Sequence, residues 1–553
     1  MSQGKSYFFS AYIIILVSVG AMYGFMQILP DKIFPETALK GNNVAVDSLM
    51  LEAMEADNAT GDTAAKKDTL NNAKITYKET YGVKFPAEKF DDYRGYQHLI
   101  AFYNKLLQLE NTGQGKVRIA YFGDSMTDGD LIVKDLRAAM QERFGGEGVG
   151  FVNITSESAQ SRATLTHQFS DNWKTQSYLN VKNPIRPFGV NGRVFFVKHD
   201  TVNPAWVRYK AVNTAHINSL SSPTLFYGRS GNTQASLRVI VGGDTITKKL
   251  NPANPLNTLK LGDNFKGFKA DFIKADSIPV YGFNFDDGRG VHVDNFGTRG
   301  NSGLPNAKLN TALMKAFNDK LGYDLIVLHY GTNVLGNGTL NFGWYEKRMT
   351  EVVSHLRECF PGVTILIIST ADKSKKYGTE MVTDSAVVPL AMAQKRYAVN
   401  TESAFVNLYT LMGGNGSMIK WVEETPSLAN KDYTHFNMRG SKKVSGFIYD
   451  QLYFGYQQFK AMRNGQPLPV EPPKPKRDTT KPAVDSAKVP PKKAKPEVKT
   501  PAAKPALPKF NEVKPGVKNT QPVKEVNKPA TPAEQIKPKS VEVAPVIKDT
   551  LHE

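Results

Sequence analysis

The sequence predicts an α/β protein: a three-layer domain with a parallel sheet, interrupted by an inserted all-β sandwich. Three observations predict this class. Apolar runs of strand length alternate with helical patterns early in the folded part and again late in the chain, which is typical of a parallel sheet covered on both faces. Between these regions, residues 194–286 contain short strands separated by Gly, Asn, Pro and Asp. The two ends of the chain fit neither pattern: the N-terminal end predicts a transmembrane helix, and the C-terminal end predicts a disordered tail.

Composition and charge indicate a folded protein that does not bind nucleic acid. Of the 553 residues, 41% are hydrophobic, which is enough for a buried core. The net charge is +18, but the segment from Gln466 to Glu553 has 18 Lys and Arg against 10 Asp and Glu, so this segment alone carries +8. Because the remainder has no dense basic stripe, we expect no nucleic-acid partner. The single cysteine, Cys359, cannot form an internal disulfide.

The N-terminus carries a predicted transmembrane anchor, residues 1–30. The run from Tyr7 to Leu29 has no charged residue and is long enough for one membrane helix. Lys5 precedes the run, and positive charge on this side favours a cytoplasmic N-terminus. We therefore predict a single-pass protein of the inner membrane with its folded domains in the periplasm. A cleaved signal peptide is the alternative.

The first part of the α/β domain is predicted at residues 87–193, after a polar linker at 31–86. It opens with a helical pattern whose apolar face includes Tyr93 and Leu99. A strand from Val117 to Phe122 follows, and a second helix begins soon after it. The chain then enters the all-β insertion.

The insertion is rich in aromatic side chains, for which two interpretations stay open. Aromatic rings stack on sugars, but they also form the core of a sandwich, and the core is the more common use. The residues are Trp206, Tyr209, Phe226, Tyr227, Phe265, Phe268, Tyr281 and Phe283.

The α/β pattern resumes at residues 287–465. Strands are predicted at Asp324–His329, Val363–Ile368 and Ala404–Leu408, each preceded by a helix. The tail, residues 466–553, holds 18 of the 32 prolines and few large apolar residues, so it cannot offset its ordering entropy and is predicted to be disordered. It serves either as a solvated spacer or as a polycation that associates with an anionic envelope polymer.

Ser125 is the candidate nucleophile. It follows the strand Val117–Phe122 and precedes a helix, which exposes its hydroxyl at the carboxyl edge of the sheet. Its backbone N–H can also point at a developing oxyanion. A serine needs a base to remove its proton, and a histidine oriented by an acid is the usual solution.

The candidate base and acid are His435 and Asp432. They lie three residues apart in a loop before the last helix, which Asn437 is placed to cap. At this spacing the carboxylate can fold back onto the imidazole. The Asp-x-x-His pattern is weak by itself, because a polar loop contains it by chance.

Two further segments supply candidate oxyanion donors. Asn333 follows the strand Asp324–His329, so its amide also lies at the carboxyl edge of the sheet. Gly300 ends the segment that begins at Asn295, and a glycine lets a carbonyl group approach a backbone N–H. Gly297 is the alternative donor in this segment.

Together these segments resemble the SGNH (GDSL-type) hydrolase superfamily, which is defined by Ser, Gly, Asn and His in four separated blocks. The matching segments are 122–125, 295–300, 331–333 and 432–435. The resemblance implies that Ser125, Asp432 and His435 form a catalytic triad. It also implies that Ser125, Gly300 and Asn333 form the oxyanion hole, with no cofactor and no metal.

A narrower resemblance concerns envelope-associated members. The stretch 118–151 and the position of the β insertion are similar to those of peptidoglycan O-acetylesterases, whose insertion is carbohydrate-binding-like. This implies a serine esterase that removes O-acetyl groups from an O-acetylated, peptidoglycan-like polysaccharide. Two alternatives remain: an O-acetyltransferase that works with a membrane-bound acyltransferase partner, and a non-enzymatic envelope-binding protein.

Overall fold

A five-stranded parallel sheet lies at the centre of the fold. The computed structural model describes residues 49–50, 52–53, 74–198, 203–336 and 338–470. The spatial order of the strands is Gly290–Gly297, Lys116–Gly123, Leu325–His329, Thr364–Ile368 and Ala404–Val406. In chain order this arrangement is 2-1-3-4-5, so the winding reverses beside the strand Lys116–Gly123. Open α/β sheets bind ligands outside the carboxyl ends of the strands at such a reversal.

Helices cover this sheet. Every residue of the strands Leu325–His329 and Thr364–Ile368 is buried, which requires cover on both faces. The predicted α/β class with a parallel sheet is therefore confirmed. The α-helices are Ile100–Thr112, Val133–Phe144, Thr311–Leu321, Gly343–Cys359, Val387–Asn400, Leu408–Met412, Ser417–Glu423 and Met438–Arg463.

The first α-helix begins later than its apolar pattern predicts. Gly95 has a left-handed backbone, with φ of +61°, which a continuing helix does not allow. Short 3₁₀ helices at Phe90–Asp92 and Tyr96–Leu99 therefore precede the α-helix, which begins at Ile100. Tyr93 and Leu99 are nevertheless buried, as their pattern requires.

Two antiparallel sheets share a second hydrophobic core. The six-stranded sheet consists of Leu256–Lys260, Thr224–Gly228, Val280–Phe285, Arg193–Val197 and Trp173–Ser177, with Gly150–Val152 paired to Val280–Phe285. The five-stranded sheet consists of Asp244–Lys249, Ser236–Val241, Gly267–Ile273, Ala205–Ala211 and Leu165–Phe169. Three two-stranded pairs complete the described strands: Lys74–Ile75 with Glu88–Lys89, Leu220–Ser221 with Asn264–Phe265, and Ser374–Tyr377 with Glu380–Thr383.

The antiparallel strands extend beyond the predicted bounds of the insertion, 194–286. They already begin at Gly150–Val152, because this strand pairs with Val280–Phe285 at the other end of the region. Most of the aromatic side chains that the sequence left open between core and sugar platform belong to the core. Tyr209, Tyr227, Phe268 and Phe283 are buried in this second core, and Phe226 and Tyr281 are buried in the main core. Trp206 and Phe265 are partly exposed.

The predicted terminal segments are described only in part. The anchor, 1–30, lies outside the described residues, as does the tail beyond residue 470. Among the helices of the described ranges, none is long and apolar enough to cross a bilayer. The last part of the predicted linker, 31–86, packs on the fold, since Tyr77, Val83 and Phe85 are buried in the main core.

A buried arginine joins the antiparallel and parallel sheets. Arg118, in the strand Lys116–Gly123, has no exposed surface. Its guanidinium donates to both carboxylate oxygens of Asp294, at 2.8 Å each, and also to Asp286 and Asn284. The hydroxyl of Tyr323 donates to Asp294 at 2.6 Å.

This ion pair sets the position of several strands together. Asp294 belongs to the parallel strand Gly290–Gly297, and it also accepts the backbone N–H of Phe151, at 2.8 Å, from the antiparallel strand Gly150–Val152. A charge buried in a protein is tolerated only when it is paired and hydrogen-bonded. Any shift between these strands would leave the guanidinium or the carboxylate unpaired, so the ion pair holds their register.

We expect Asp294→Asn to destabilise the fold by about 3–5 kcal/mol, because removal of one partner leaves the other charge buried and under-compensated. Urea unfolding followed by tryptophan fluorescence measures this loss. The matched control is Asp263→Asn, since Asp263 pairs with Lys260 at 86% side-chain exposure and an exposed pair adds little to stability. An equal shift in the two variants would contradict the role given to Arg118.

Candidate active site

Ser125 lies in a tight turn at the carboxyl end of the strand Lys116–Gly123. The carboxylate of Asp124 accepts the N–H of Met126 at 2.9 Å, and the carbonyl of Asp124 accepts the N–H of Thr127 at 3.2 Å. These two bonds close the turn around Ser125. Within the described ranges, the backbone N–H of Ser125 donates to no protein group. It is therefore available to a ligand.

The turn approaches the neighbouring parallel strand closely. A Cβ atom on Gly123 or on Gly297 would lie 2.5 or 2.4 Å from the hydroxyl oxygen of Thr127, so neither position has room for a side chain. Asn295 adds a hydrogen bond, because its amide donates to the carbonyl of Thr127 at 2.7 Å. The ends of the two strands thus hold the Ser125 turn from both sides.

Asp432 and His435 lie in one short closed loop. Residue 433, between them, is a tyrosine with a left-handed backbone, φ +54°, a costly conformation that reverses the chain. As a result, one carboxylate oxygen of Asp432 accepts the backbone N–H groups of Thr434 and His435, at 3.0 and 2.9 Å. A bridge between Ala429 and Phe436 closes the loop.

The imidazole of His435 connects this loop to the nucleophile. Its Nδ1 lies 2.7 Å from Oδ2 of Asp432, and its Nε2 lies 2.9 Å from Oγ of Ser125. A carboxylate only accepts hydrogen bonds, so Nδ1 carries the proton in the neutral ring. Nε2 is then the acceptor and faces the serine hydroxyl. The structure thus brings the three predicted residues together in the arrangement that activates a serine.

The carboxyl group of Asp432 stays ionised in this arrangement. Partial burial by itself raises the pKa of Asp432, but hydrogen bonds from the His435 side chain and from the backbone N–H groups of His435 and Thr434 outweigh it. The pKa therefore lies below its ordinary value. An ionised carboxylate holds Nδ1 protonated and favours the imidazolium that forms when Nε2 takes a proton.

The two glycines of the second predicted block differ in whether their backbone N–H is already hydrogen-bonded. The N–H of Gly297 donates to the side chain of Asn295 at 2.8 Å, so it is occupied. Gly300 is buried with a left-handed backbone, φ +78°, and its N–H has no protein acceptor in the described part of the chain. Of the two glycines, Gly300 is therefore the one that can donate to an oxyanion.

Asn333 follows the strand Leu325–His329, which pairs directly with the strand that leads to Ser125. Its side chain is 6% exposed, and one amide hydrogen goes to the carbonyl of Asn301 at 3.1 Å. This bond ties the third predicted block to the residue that follows Gly300. An amide has two hydrogens, so one remains for a ligand.

A buried ion pair supports the turn, and no sequence pattern indicates it. The carboxylate of Asp130 accepts hydrogen bonds from both terminal nitrogens of Arg137, at 2.8 and 3.0 Å, and from the hydroxyl of Thr164 at 2.7 Å. Nε of Arg137 donates to the carbonyl of Val293, in the strand that leads to the Gly300 segment. Asp130 and Arg137 matched only a helix pattern in the sequence, because nothing in it indicates which distant strand a buried arginine contacts.

Comparison with known proteins agrees with this fold. A solved structure of a peptidoglycan O-acetylesterase has 22% identity and a TM-score of 0.53, and the match covers 66% of this chain and 96% of that one. The chain therefore has an SGNH hydrolase-like fold. No family model and no curated protein sequence matches it.

Two further solved structures are weakly similar. One is a family two carbohydrate esterase from Cellvibrio japonicus, with 10% identity and a TM-score of 0.22, covering 53% of this chain and 98% of that one. The other is a GDSL-like lipase from Parabacteroides merdae, with 13% identity and a TM-score of 0.22, covering 29% and 72%.

Asp124 gives the fold a pH-dependent stability. Burial raises the pKa of this carboxyl from 3.8 to about 6, despite hydrogen bonds from Met126 and Thr332 and the proximity of His435. A pKa above its unfolded value means that the native state holds a proton that the unfolded state releases between these two values. Stability then falls as pH rises from about 4 to about 6.

We expect Asp124→Asn to remove this loss, because an amide accepts the Met126 N–H without a buried charge. The shift of about 2 units corresponds to a gain on the order of 3 kcal/mol at pH 7 and to little gain near pH 4. Urea unfolding of both proteins at the two pH values measures it. A gain that is equal at both values would contradict the assignment.

Proposed function

We propose that the chain is a serine esterase that removes O-acetyl groups from a peptidoglycan-like saccharide of the cell envelope. The observation that carries the proposal is the continuous chain of hydrogen bonds from Asp432 through His435 to Ser125. Within the described residues, the backbone N–H groups of Ser125 and Gly300 have no protein partner. The peptidoglycan O-acetylesterase with a similar fold supports the choice of ester.

The first half of the reaction transfers the acetyl group to the enzyme. Nε2 of His435 takes the hydroxyl proton of Ser125 while Oγ attacks the acetyl carbonyl carbon. Asp432 stabilises the imidazolium that results. The N–H groups of Ser125 and Gly300 and the amide of Asn333 hold the oxyanion. When the intermediate collapses, the ester C–O bond breaks and His435 returns the proton to the sugar oxygen.

The second half releases the acetyl group. A water molecule enters, His435 takes one of its protons, and the hydroxide attacks the acetyl-serine. Collapse of the second tetrahedral intermediate returns the proton from His435 to Oγ of Ser125 and releases acetate. The residues carry all proton transfers, so no step in this cycle calls on a cofactor.

We expect Ser125→Ala to lower the release of acetate from O-acetylated peptidoglycan by at least about 10⁴-fold, since loss of a triad nucleophile costs this much or more. The matched control is Ser230→Ala. Ser230 is also a half-buried loop serine with a side-chain hydrogen bond, to Ser277, but it lies in the antiparallel part. Normal acetate release by the Ser125 variant would exclude the proposed nucleophile.

The same assay separates hydrolysis from transfer. With water as the acceptor, each acetyl group lost from the polymer appears as free acetate. Acetyl transfer to an added, deacetylated glycan, in amounts exceeding free acetate, would instead favour the transferase alternative. Binding to peptidoglycan without either reaction would favour the envelope-binding alternative.

The proposed location rests on the run from Tyr7 to Leu29, whose length and lack of charge suit one membrane helix. We expect the full chain in the membrane fraction of cells. Protease added to spheroplasts should degrade its folded part while the inner membrane is still sealed. Protection until the membrane is dissolved would place the folded part in the cytoplasm and contradict the proposal.

A further inference from the structure

Arg299 is an exposed arginine in the turn that also carries Gly300. Its Nε donates to Oδ2 of Asp128 at 2.5 Å, and its side chain is 61% exposed while that of Asp128 is only 13% exposed. The other oxygen of Asp128 accepts the hydroxyl of Ser158 at 2.7 Å, and Ser158 is buried. The buried Ser158 therefore holds the carboxylate of Asp128 in place, and this carboxylate in turn orients the guanidinium of Arg299.

The guanidinium keeps most of its donors free. An arginine has five N–H donors in a planar fork, and Nε uses one of them on Asp128. In the described ranges, neither terminal nitrogen of Arg299 has a protein acceptor. An oriented guanidinium with both terminal nitrogens unoccupied has the geometry that binds a carboxylate through two parallel hydrogen bonds.

Arg299 lies close in sequence to the residues of the proposed oxyanion hole. It is bonded to Gly300 in the chain, and Asp128 comes three residues after Ser125. The N–H of Thr298 donates to the carbonyl of Gly123 at 3.0 Å, which ties the two turns together. Arg299 is thus adjacent in the chain to one proposed oxyanion donor, and its partner Asp128 lies three residues after the other.

The ion pairs of Asp128 and Asp130 favour an anion. Among the described residues, three guanidinium groups, those of Arg137, Arg162 and Arg299, form ion pairs with these two carboxylates. Three positive charges against two negative ones leave an excess of +1. Arg299 already shares its charge with Asp128, so this excess suits a singly charged carboxylate better than a phosphate monoester of about −2.

We propose that Arg299 binds a carboxylate of the substrate, so that the enzyme prefers O-acetyl esters of acidic saccharides to those of neutral ones. This inference rests on the proposed esterase function. The carboxylate lies on the same sugar as the O-acetyl group or on a substituent of that sugar. Arg299 determines specificity, while Ser125, His435 and Asp432 carry out the chemistry.

The test compares two substrates that differ in one group, the tri-O-acetyl methyl glycosides of glucuronic acid and of glucose. We expect the full chain to have a kcat/KM about tenfold higher on the acid, because a bidentate ion pair adds at least one charge-assisted hydrogen bond. In Arg299→Gln the ratio of the two kcat/KM values should fall to near one. Taking the ratio removes any general loss of activity in the variant.

Arg289→Gln is the matched control. Arg289 precedes the strand Gly290–Gly297, Arg299 follows it, and Arg289 also donates through Nε to a carboxylate, that of Asp287, at 75% exposure. It should keep the preference of the parent chain. Equal kcat/KM on both glycosides in the parent, or an unchanged preference in Arg299→Gln, would overturn the inference while leaving the esterase proposal intact. Absence of hydrolysis of both glycosides and of 4-nitrophenyl acetate would overturn the esterase proposal itself.

Discussion

The buried guanidinium of Arg118 imposes a constraint on most of the folded part. Burying a charge is costly, and the cost is offset only while Asp294 and Asp286 stay in place. Since Asp294 lies on the adjacent parallel strand, the pair fixes the register in which Gly123 lies opposite Gly297. Those two glycines are the last residues before the turns that carry Ser125 and Gly300. The ion pair thus fixes how the carboxyl ends of the two strands are aligned, and the candidate site forms at those ends.

Three of the four predicted blocks come together because they follow adjacent strands at the place where the winding of the sheet reverses. Ser125 and Asn333 follow two strands that pair directly, and Gly300 follows the strand on the other side of Ser125. The sequence supports these placements because each residue comes directly after a buried apolar run. The sequence also predicts the helix cap after His435. The side chain of Asn437 accepts hydrogen bonds from the N–H groups of Arg439 and Gly440, as a cap requires.

Other features could not be read from the sequence, for physical reasons. Spacing from Asn295 favours Gly300 over Gly297, but spacing does not reveal the hydrogen bond by which the Asn295 side chain occupies the N–H of Gly297. The antiparallel part was predicted to begin at residue 194 because the earlier strands, Leu165–Phe169 and Trp173–Ser177, are short and mostly polar. The ion pair of Arg118 with Asp294 and the hydrogen bond of Arg137 to Val293 join residues distant in sequence, and periodicity carries no information on such contacts. The roles of the candidate site residues remain predictions until the variants are measured.

The loop that holds Asp432 and His435 has a mechanical consequence. The acid and the base are hydrogen-bonded three positions apart, and the bridge between Ala429 and Phe436 closes the segment that contains them. Any displacement of the last helix therefore carries acid and base together and leaves their mutual geometry unchanged. The separation between Nε2 of His435 and Oγ of Ser125 is then the one adjustable length in the triad. Changes elsewhere in the molecule therefore act on the triad through the distance between His435 and Ser125.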